Sequence, residues 1–268
     1  MKTDLTHLHE KNAFICDMDG VIYHGNRLLP GVPEFVQWLN DNGKEFLFLT
    51  NSSERAPREL AQKLGRMGLD ISEDHFYTSA LATASFLASQ CPGGSAYVIG
   101  EPGLVNALYD AGLSMNDYNP DYVVFGETRS LSYEKIERAV ELVFKGAKLI
   151  GTNSDVTAPG ERGIIPACSA LISPIELATD RKAYYIGKPN PLIMRHALKK
   201  LGCNHHEAAI IGDRMDTDII AGIESELDTV LVLSGVSSLE TLKSFPYRPT
   251  YILNGVGDIP KTEAVVGE

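Results

Sequence analysis

The sequence predicts an α/β fold in which a doubly wound parallel sheet is interrupted by a second, smaller α/β domain. Short apolar runs alternate with helical patterns along all 268 residues, as in the right-handed βαβ units that build parallel sheets. Residues 91–95 and 178–182 break this alternation and are typical of linkers. We therefore expect a Rossmann-like core domain of residues 1–90 and 183–268, with residues 91–182 inserted as the smaller domain.

In the first core segment, apolar runs predict three strands, at residues 13–16, 46–49 and 76–78. The helices between them follow from apolar residues that recur at positions i, i+3, i+4 and i+7. One helix begins at Pro33 and ends at Gly43, a second ends near Gly68, and a third spans residues 80–89.

The rest of the chain continues the alternation. Strands of the insertion are predicted at residues 96–99, 122–125 and 148–151, and its helices at residues 103–111, 133–145 and 170–177. Residues 152–163 are rich in Gly, Pro, Asn and Asp and predict a loop. Strands of the second core segment are predicted at residues 184–186, 208–211 and 229–233. Asn190 caps a helix with Pro191 at its first position, and Ser237 and Glu240 have capping-box spacing for the last helix.

The composition excludes several classes of partner. Apolar residues make up 44% and charged residues 22% of the chain, as in proteins with an ordinary core. The net charge of −11 repels nucleic acid and anionic lipid, so neither is expected as a partner. The four cysteines form no CxxC pair, which favours free buried thiols in a reducing compartment. Neither a signal peptide nor an apolar run of about 18 residues is present, so the cytoplasm is the predicted location.

Acidic side chains follow two of the predicted core strands. Asp17 and Asp19 come directly after the first strand, and Asp213 follows the strand at residues 208–211. Ligands of an open parallel sheet bind outside the carboxyl ends of its strands. Carboxylates so close together repel each other unless a hard divalent cation compensates them. The sequence therefore predicts a Mg²⁺ site that leaves a face open for substrate.

Groups suited to phosphate stand at two further strand ends. Thr50, Asn51 and Ser52 follow the second strand and offer hydroxyl, amide and backbone N–H donors. Lys188 follows the predicted strand at residues 184–186 and can neutralise phosphate and lower the pKa of a nucleophile. Together with the acids, these groups predict phosphoryl transfer by positioning and by cations. A carboxylate nucleophile splits such a reaction into two steps, and Asp19 can donate and then accept the proton.

The chain resembles the haloacid dehalogenase-type phosphatases in all four of their motifs. These are DMDGV at residues 17–21, LTN ending at Asn51, GKP around Lys188, and GDRMDTD at residues 212–218. The insertion lies between the second and third motifs, as in the NagD-type nucleotide monophosphatases with an α/β cap. Further stretches similar to that subgroup are NPD at residues 119–121, GETRS at 126–130 and LSGVSS at 233–238.

The resemblance implies a role for each motif residue. Asp17 is the nucleophile and Asp19 the general acid and base. Mg²⁺ is held by the Asp17 carboxylate, the Asp19 backbone carbonyl and Asp213. The phosphate is held by Thr50, Asn51, Ser52 and Lys188. The second acid that such a motif places behind the metal is Asp218, while Asp216 is a helix cap or a water-binding group.

Substrate choice falls to the cap, through the turn at residues 152–155 and the loop at residues 160–167. The resemblance implies nucleoside monophosphates such as UMP or GMP as substrates, and homodimers in some relatives. A sugar-phosphate or pyridoxal-phosphate phosphatase is the alternative, although Ala158 stands near the place where pyridoxal-phosphate phosphatases carry a histidine. Two alternative functions involve no catalytic turnover. One is a receiver-like phosphoacceptor, which needs no inserted domain, and the other is a metabolite-binding sensor on the same fold.

Overall fold

The computed structural model describes residues 2–160 and 163–265. Contacts divide the chain into two compact units. The core unit comprises the described parts of Met1–Thr50, Ala61–Tyr77 and Lys188–Glu268. The cap unit comprises Asn51–Leu60 and the described part of Thr78–Gly187. The division into domains at residues 90 and 182 stays a prediction. Glu161 and Arg162, within the predicted substrate-contact loop, lie outside the described residues.

The strands in chain order are β1 (Lys2–Asp4), β2 (Ala13–Asp17), β3 (Tyr23–His24), β4 (Arg27–Leu28), β5 (Glu45–Thr50), β6 (Phe76–Thr78), β7 (Ser95–Ile99), β8 (Ser114–Met115), β9 (Tyr122–Phe125), β10 (Lys148–Gly151), β11 (Thr157–Gly160), β12 (Gly163–Pro166), β13 (Tyr184–Tyr185), β14 (Ala208–Gly212), β15 (Asp228–Val232), β16 (Tyr251–Leu253) and β17 (Glu263–Val265). The α-helices are α1 (Thr6–His9), α2 (Val32–Asp41), α3 (Pro57–Arg66), α4 (Ser79–Gln90), α5 (Pro102–Asp110), α6 (Tyr133–Phe144), α7 (Cys168–Thr179), α8 (Pro191–Leu201), α9 (Ile220–Glu224) and α10 (Leu239–Leu242). No helix among the described residues is long and apolar enough to cross a membrane.

The six-stranded sheet has the order β16-β15-β14-β2-β5-β6. The pairings of β2 with β5 and β14, and of β15 with β14 and β16, are parallel. Residues Ala13 to Cys16 are fully buried, because a central strand covered on both faces reads as a continuous apolar run. Since β2 and β14 are parallel neighbours, their carboxyl ends lie at the same edge of the sheet.

The five-stranded sheet of the cap unit has the order β13-β10-β9-β7-β8 and is also parallel. Its membership corrects one prediction. Residues 184–186 were expected as a core strand, but Tyr184 and Tyr185 pair with Ile150 and Gly151 of β10. The reason is packing, because Tyr185 lies against the apolar cluster that Val123 and neighbouring residues form in this unit.

Two local predictions were wrong in detail. The loop expected at residues 152–163 contains β11, which pairs antiparallel with β12. This ribbon is largely exposed, so it does not need the apolar alternation that would have revealed it. The last helix is capped by Ser238 and Thr241 rather than by Ser237 and Glu240. Ser237 accepts a hydrogen bond from the backbone N–H of Met215 instead.

The start of α8 is as predicted. The side chain of Asn190 accepts a hydrogen bond from the Leu192 N–H at 3.0 Å, and Pro191 occupies the first helical position. Pro at this position costs no hydrogen bond, because the first N–H groups of a helix have no partner within it. The side chain of Asn190 thus fixes where α8 begins. Lys188 lies two residues earlier, in the loop that leads into this helix.

Candidate active site

Three carboxylates gather at the carboxyl edge of the core sheet. Asp17 is the last residue of β2, Asp213 follows β14 directly, and Asp218 lies in the turn after it. One oxygen of each carboxylate lies within 4.8 Å of the others. Asp213 and Asp218 are buried, and Asp17 is partly buried. The strand-end rule thus brought the predicted Asp17 and Asp213 together, as expected for parallel neighbours.

Lys188 enters this cluster from the loop before α8. Its Nζ donates to Asp17 Oδ1 at 2.5 Å and to Asp218 Oδ1 at 2.6 Å. Lys188 is buried, and burial of a charged side chain is costly unless the charge is paired in this way. The prediction that Lys188 follows a core strand was wrong, because β13 belongs to the other sheet. Lys188 reaches the cluster from a loop rather than from a strand end.

The turn after β14 is a π-helical segment, Met215–Ile219. Such wide turns are frequent at functional sites because they re-aim one side chain. Here the turn directs Asp218 back toward the sheet, where its Oδ2 accepts the backbone N–H of Arg214 at 3.1 Å. A Cβ on Gly212 would overlap the Asp218 side chain, so this position requires glycine.

Asp213 is enclosed by backbone. Its Oδ2 accepts the N–H of Val236 at 2.7 Å, and a Cβ on Gly235 would overlap this carboxylate. Gly20 has φ +84° and also faces Asp213. Among the described residues, Asp213 Oδ1 is buried without a hydrogen-bond partner. A buried, unpartnered carboxylate oxygen beside two other carboxylates is the donor set that a hard divalent cation prefers.

Burial controls the charge of the cluster. It raises the pKa of Asp17 well above the usual value; Asp218 and Asp213 act in the same direction and Lys188 acts against them. Burial, followed by the Asp218 charge, raises the pKa of Asp213 to about 7. Burial alone would lower the pKa of Lys188, but Asp17 and Asp218 outweigh it and raise that pKa. A divalent cation would restore both acids to the ionised form.

Asp19 differs from the three clustered acids because its side chain is 46% exposed. His24 Nδ1 lies 4.0 Å from its Oδ1. Burial of part of the carboxyl raises the pKa of Asp19, while the charges of Lys63 and His24 lower it. An acid with a raised pKa that solvent still reaches can exchange protons, as a general acid must.

Of the two acids offered by the last motif, only Asp218 joins the cluster. Asp216 lies on the exposed side of the turn, where Arg214 donates to both of its oxygens at 3.0 and 2.9 Å. The hydrogen bonds from Arg214 lower the pKa of Asp216. Asp218 is thus the acid of this motif that lies in the carboxylate cluster, and its role behind a metal stays a prediction.

Thr50 is the last residue of β5, the parallel neighbour of β2. Asn51 and Ser52 follow it and belong to the cap unit. Within that unit, Asn51 Nδ2 donates to Asp155 Oδ2 at 2.9 Å. Ser52 Oγ accepts the N–H of Glu54 at 3.4 Å.

The cap turn expected to contact substrate divides into two halves. Thr152 and Asn153 are fully buried and bind groups inside the cap unit, so the expectation does not hold for these two residues. Ser154 and Asp155 are partly exposed. Sequence reasoning also missed Glu127, which follows β9 and binds Ser53 and Asn153. The strand-end rule, applied to the cap sheet as it was to the core, would have found it.

The chain is similar to a family of known hydrolases over most of its length. A family model described as haloacid dehalogenase-like hydrolase matches residues 14–114, and a second, HAD-hydrolase-like model matches residues 185–259. Dihydroxyacetone phosphatase from Corynebacterium glutamicum is 47% identical over 92% of this chain and 90% of its own length. Ribonucleotide monophosphatase NagD from Escherichia coli is 44% identical over 91% and 96%. An acid sugar phosphatase from Staphylococcus saprophyticus is 40% identical over 93% and 96%.

The solved structure of NagD from E. coli K-12 superposes with a TM-score of 0.88 at 42% identity, covering 93% of this chain and 98% of that one. Identity at this level over nearly the whole of both chains shows a common family. The relatives are phosphatases, so the readings as a sensor or a receiver-like phosphoacceptor are set aside. The chain belongs to the haloacid dehalogenase-like hydrolases and is a NagD-type phosphatase that acts on phosphoric monoesters.

Proposed function

We propose that this phosphatase depends on Mg²⁺ and hydrolyses small phosphomonoesters through an aspartyl-phosphate. A carboxylate oxygen of Asp17 attacks phosphorus while the bond from phosphorus to the ester oxygen breaks. Asp19 gives its proton to the departing oxygen. It then takes a proton from the water that attacks the aspartyl-phosphate, which releases inorganic phosphate and restores the Asp17 carboxylate.

The observation that carries the proposal is the unpartnered Asp213 Oδ1 beside two further carboxylates. Asp17 and Asp213 would hold the ion with their side chains, and the resemblance adds the backbone carbonyl of Asp19. When bound, Mg²⁺ supplies positive charge against the phosphate oxygens.

Lys188 has two tasks in this proposal. Its ammonium lies against Asp17 and favours the ionised carboxylate that attacks phosphorus. Asp218 accepts a second hydrogen bond from the same Nζ and so fixes the direction of the lysine side chain. Asp218 therefore acts through Lys188, and its loss should affect the rate more than the binding of substrate.

Thr50, Asn51 and Ser52 are proposed to bind the phosphate oxygens. The support is their place directly after β5, the neighbour of the strand that carries Asp17, together with the family motif that ends at Asn51. Ser154 and Asp155 remain the proposed contacts to the rest of the substrate, because they are the partly exposed half of the cap turn.

Nucleoside monophosphates such as UMP or GMP are the proposed substrates, supported by the 44% identity to ribonucleotide monophosphatase NagD. Short sugar-type phosphates are the second candidate, because the dihydroxyacetone phosphatase of C. glutamicum is 47% identical. Both classes carry a phosphate on a primary carbon, so the chemistry above serves either one. A pyridoxal-phosphate activity has no comparable support. Homodimer formation stays a prediction.

The test is phosphate release from a panel of UMP, GMP, dihydroxyacetone phosphate, sugar phosphates and pyridoxal phosphate, with Mg²⁺ or with EDTA. We expect Mg²⁺-dependent release that is fastest with nucleotides. Fastest release from dihydroxyacetone phosphate would support the second candidate and keep the mechanism. Equal release in EDTA would contradict the metal dependence, and the Asp17→Asn variant supplies the background rate.

A further inference from the structure

Glu127 stands at the carboxyl end of β9 and binds with both oxygens of its carboxylate. Oε2 accepts the backbone N–H of Ser53 at 3.2 Å and the Ser53 hydroxyl at 2.6 Å. Oε1 accepts the side-chain amide of Asn153. Gly126 allows this approach, because a Cβ there would lie 2.5 Å from Ser53 Oγ. One carboxylate thus joins the segment after β5 to the segment after β10.

Asn153 extends this hydrogen-bond network to Asn51. Its Nδ2 donates to the backbone carbonyl of Asn51 at 2.8 Å, and the Ser79 hydroxyl donates to the same carbonyl at 2.5 Å. Its Oδ1 accepts the N–H of Asp155, whose carboxylate accepts the Asn51 amide. Asn51 is therefore held at its backbone carbonyl and at its side chain by groups that depend on Asn153.

The same turn holds the residue before Lys188. The N–H of Gly187 donates to the carbonyl of Thr152 at 2.8 Å. A Cβ on Gly187 would lie 2.7 Å from Asn51 Oδ1 and 2.9 Å from Asn153 Cβ, so only glycine fits. The two segments that lead to Asn51 and to Lys188 thus pack against one buried pair of residues, Thr152 and Asn153.

We propose that Glu127 is a positioning residue for the reaction. Through Ser53 and Asn153, its carboxylate fixes the segment of residues 51–53, which presents donors to the phosphoryl group. The inference rests on the proposed function, because that function assigns Asn51 and Ser52 to the phosphate. Two acceptor oxygens are needed, since one serves Ser53 and the other serves Asn153. Glutamine supplies only one acceptor oxygen and places an amide donor against another donor.

The test compares Glu127→Gln with Thr128→Val, a matched control in the next position. Thr128 is buried, and its hydroxyl donates to Glu101 at 2.8 Å. We expect Glu127→Gln to lower kcat by roughly tenfold to a hundredfold, as misplacement of a positioning group does. Thr128→Val should lower Tm and leave kcat unchanged.

Two further readouts separate positioning from a merely structural role. Because the phosphoryl group is common to all substrates, Glu127→Gln should lower kcat by the same factor for 4-nitrophenyl phosphate and for UMP. Inhibition by orthovanadate should weaken by a similar factor, while the rise in Tm on adding Mg²⁺ should stay at the wild-type value. Ser53→Ala removes only the hydroxyl donor to Glu127 and should therefore lower kcat by a smaller factor. This variant provides the test if Glu127→Gln does not fold.

Normal kcat in Glu127→Gln, with a lowered Tm, would overturn the proposal and leave Glu127 a structural residue. A loss of kcat that differs between the two substrates would also overturn it, because the residue would then act on the leaving group. If the wild-type protein releases no phosphate at all, the proposed function fails instead, so the two failures are distinguishable.

Discussion

The ammonium of Lys188 lies 2.6 Å from the buried carboxylate of Asp218 and 2.5 Å from the carboxylate of Asp17. One lysine therefore joins the proposed nucleophile to an acid that makes no contact with substrate in our mechanism. Paired groups of this kind orient the residues that do touch the reacting atoms, and their loss typically costs about 10–100-fold in activity.

Asp218→Asn should therefore lower kcat by about 10–100-fold with little change in KM. The matched control is Asp216→Asn, since Asp216 is exposed and pairs with Arg214 on the outside of the same turn. An exposed pair contributes about 0–1 kcal/mol, so this variant should keep both its activity and its Tm. Steady-state kinetics of the two variants decide the matter, and equal losses in both would contradict the distinction between the two acids.

Asp17→Asn should abolish turnover, by about three orders of magnitude or more, because an amide is not a nucleophile toward phosphorus. Asparagine has the shape of aspartate, so the fold should persist. Circular dichroism and phosphate release measured on the same sample check both halves of the prediction. Substantial residual release from a folded variant would show that another group attacks phosphorus.

On the proposed function, Mg²⁺ should raise the Tm of the wild-type protein, and Asp213→Asn should remove this rise. In the absence of metal, the substitution should instead raise Tm, because it removes a carboxylate buried beside those of Asp17 and Asp218. We therefore expect Asp213→Asn to melt at a higher temperature than the wild type in EDTA at pH 8. Thermal melts with and without Mg²⁺ measure both effects, and a variant that keeps the Mg²⁺ shift would exclude Asp213 as a ligand.

The pH dependence of the metal-free protein follows from the same carboxyl. Unfolded, Asp213 ionises near 3.8, whereas in the folded protein its pKa is raised to about 7. Between these values the folded state holds a proton that the unfolded state has lost, so stability falls as pH rises from about 4 to about 7. In EDTA, the advantage in Tm of Asp213→Asn over the wild type should grow through this range. An advantage that stays constant with pH would contradict the assignment.

Gly235→Ala should weaken Mg²⁺ binding, because the added Cβ would overlap the Asp213 carboxylate. Gly65→Ala is the control: Gly65 lies in α3, and a Cβ there would meet no atom within 4 Å. Alanine is better than glycine in a helix by about 0.8–1.0 kcal/mol, so the control should be active and slightly more stable. Magnesium titrations of activity compare the two variants, and unchanged affinity in Gly235→Ala would be the contrary result.

The sequence was most informative where backbone direction decides the outcome. Asp17 and Asp213 could be placed at one edge because parallel neighbouring strands end there, and Asn190 could be recognised as a cap from local chemistry. The sequence could not assign β13 to a sheet, because two apolar residues suit either sheet equally. Only the packing of Tyr185 in the cap unit distinguishes them.

The contacts of Glu127 escaped prediction for a related reason, although its place at a strand end could have been recognised. Its partner Ser53 lies 74 residues away in sequence, and neither residue has a pattern that points to the other. Similarly, β11 and β12 pair through backbone groups in a segment whose glycines and prolines read as a loop. Contacts that depend on tertiary approach rather than on periodicity are therefore the part that required the structure.

The clustered carboxylates have a consequence for the order in which ligands bind. Fully ionised, Asp17, Asp213 and Asp218 carry three negative charges against the single positive charge of Lys188. A phosphate dianion approaching this cluster is repelled, whereas a divalent cation is attracted and cancels the excess charge. If the proposed Mg²⁺ dependence holds, we therefore expect ordered addition, with the cation first and the ester second, so that the supply of free Mg²⁺ governs access to the catalyst.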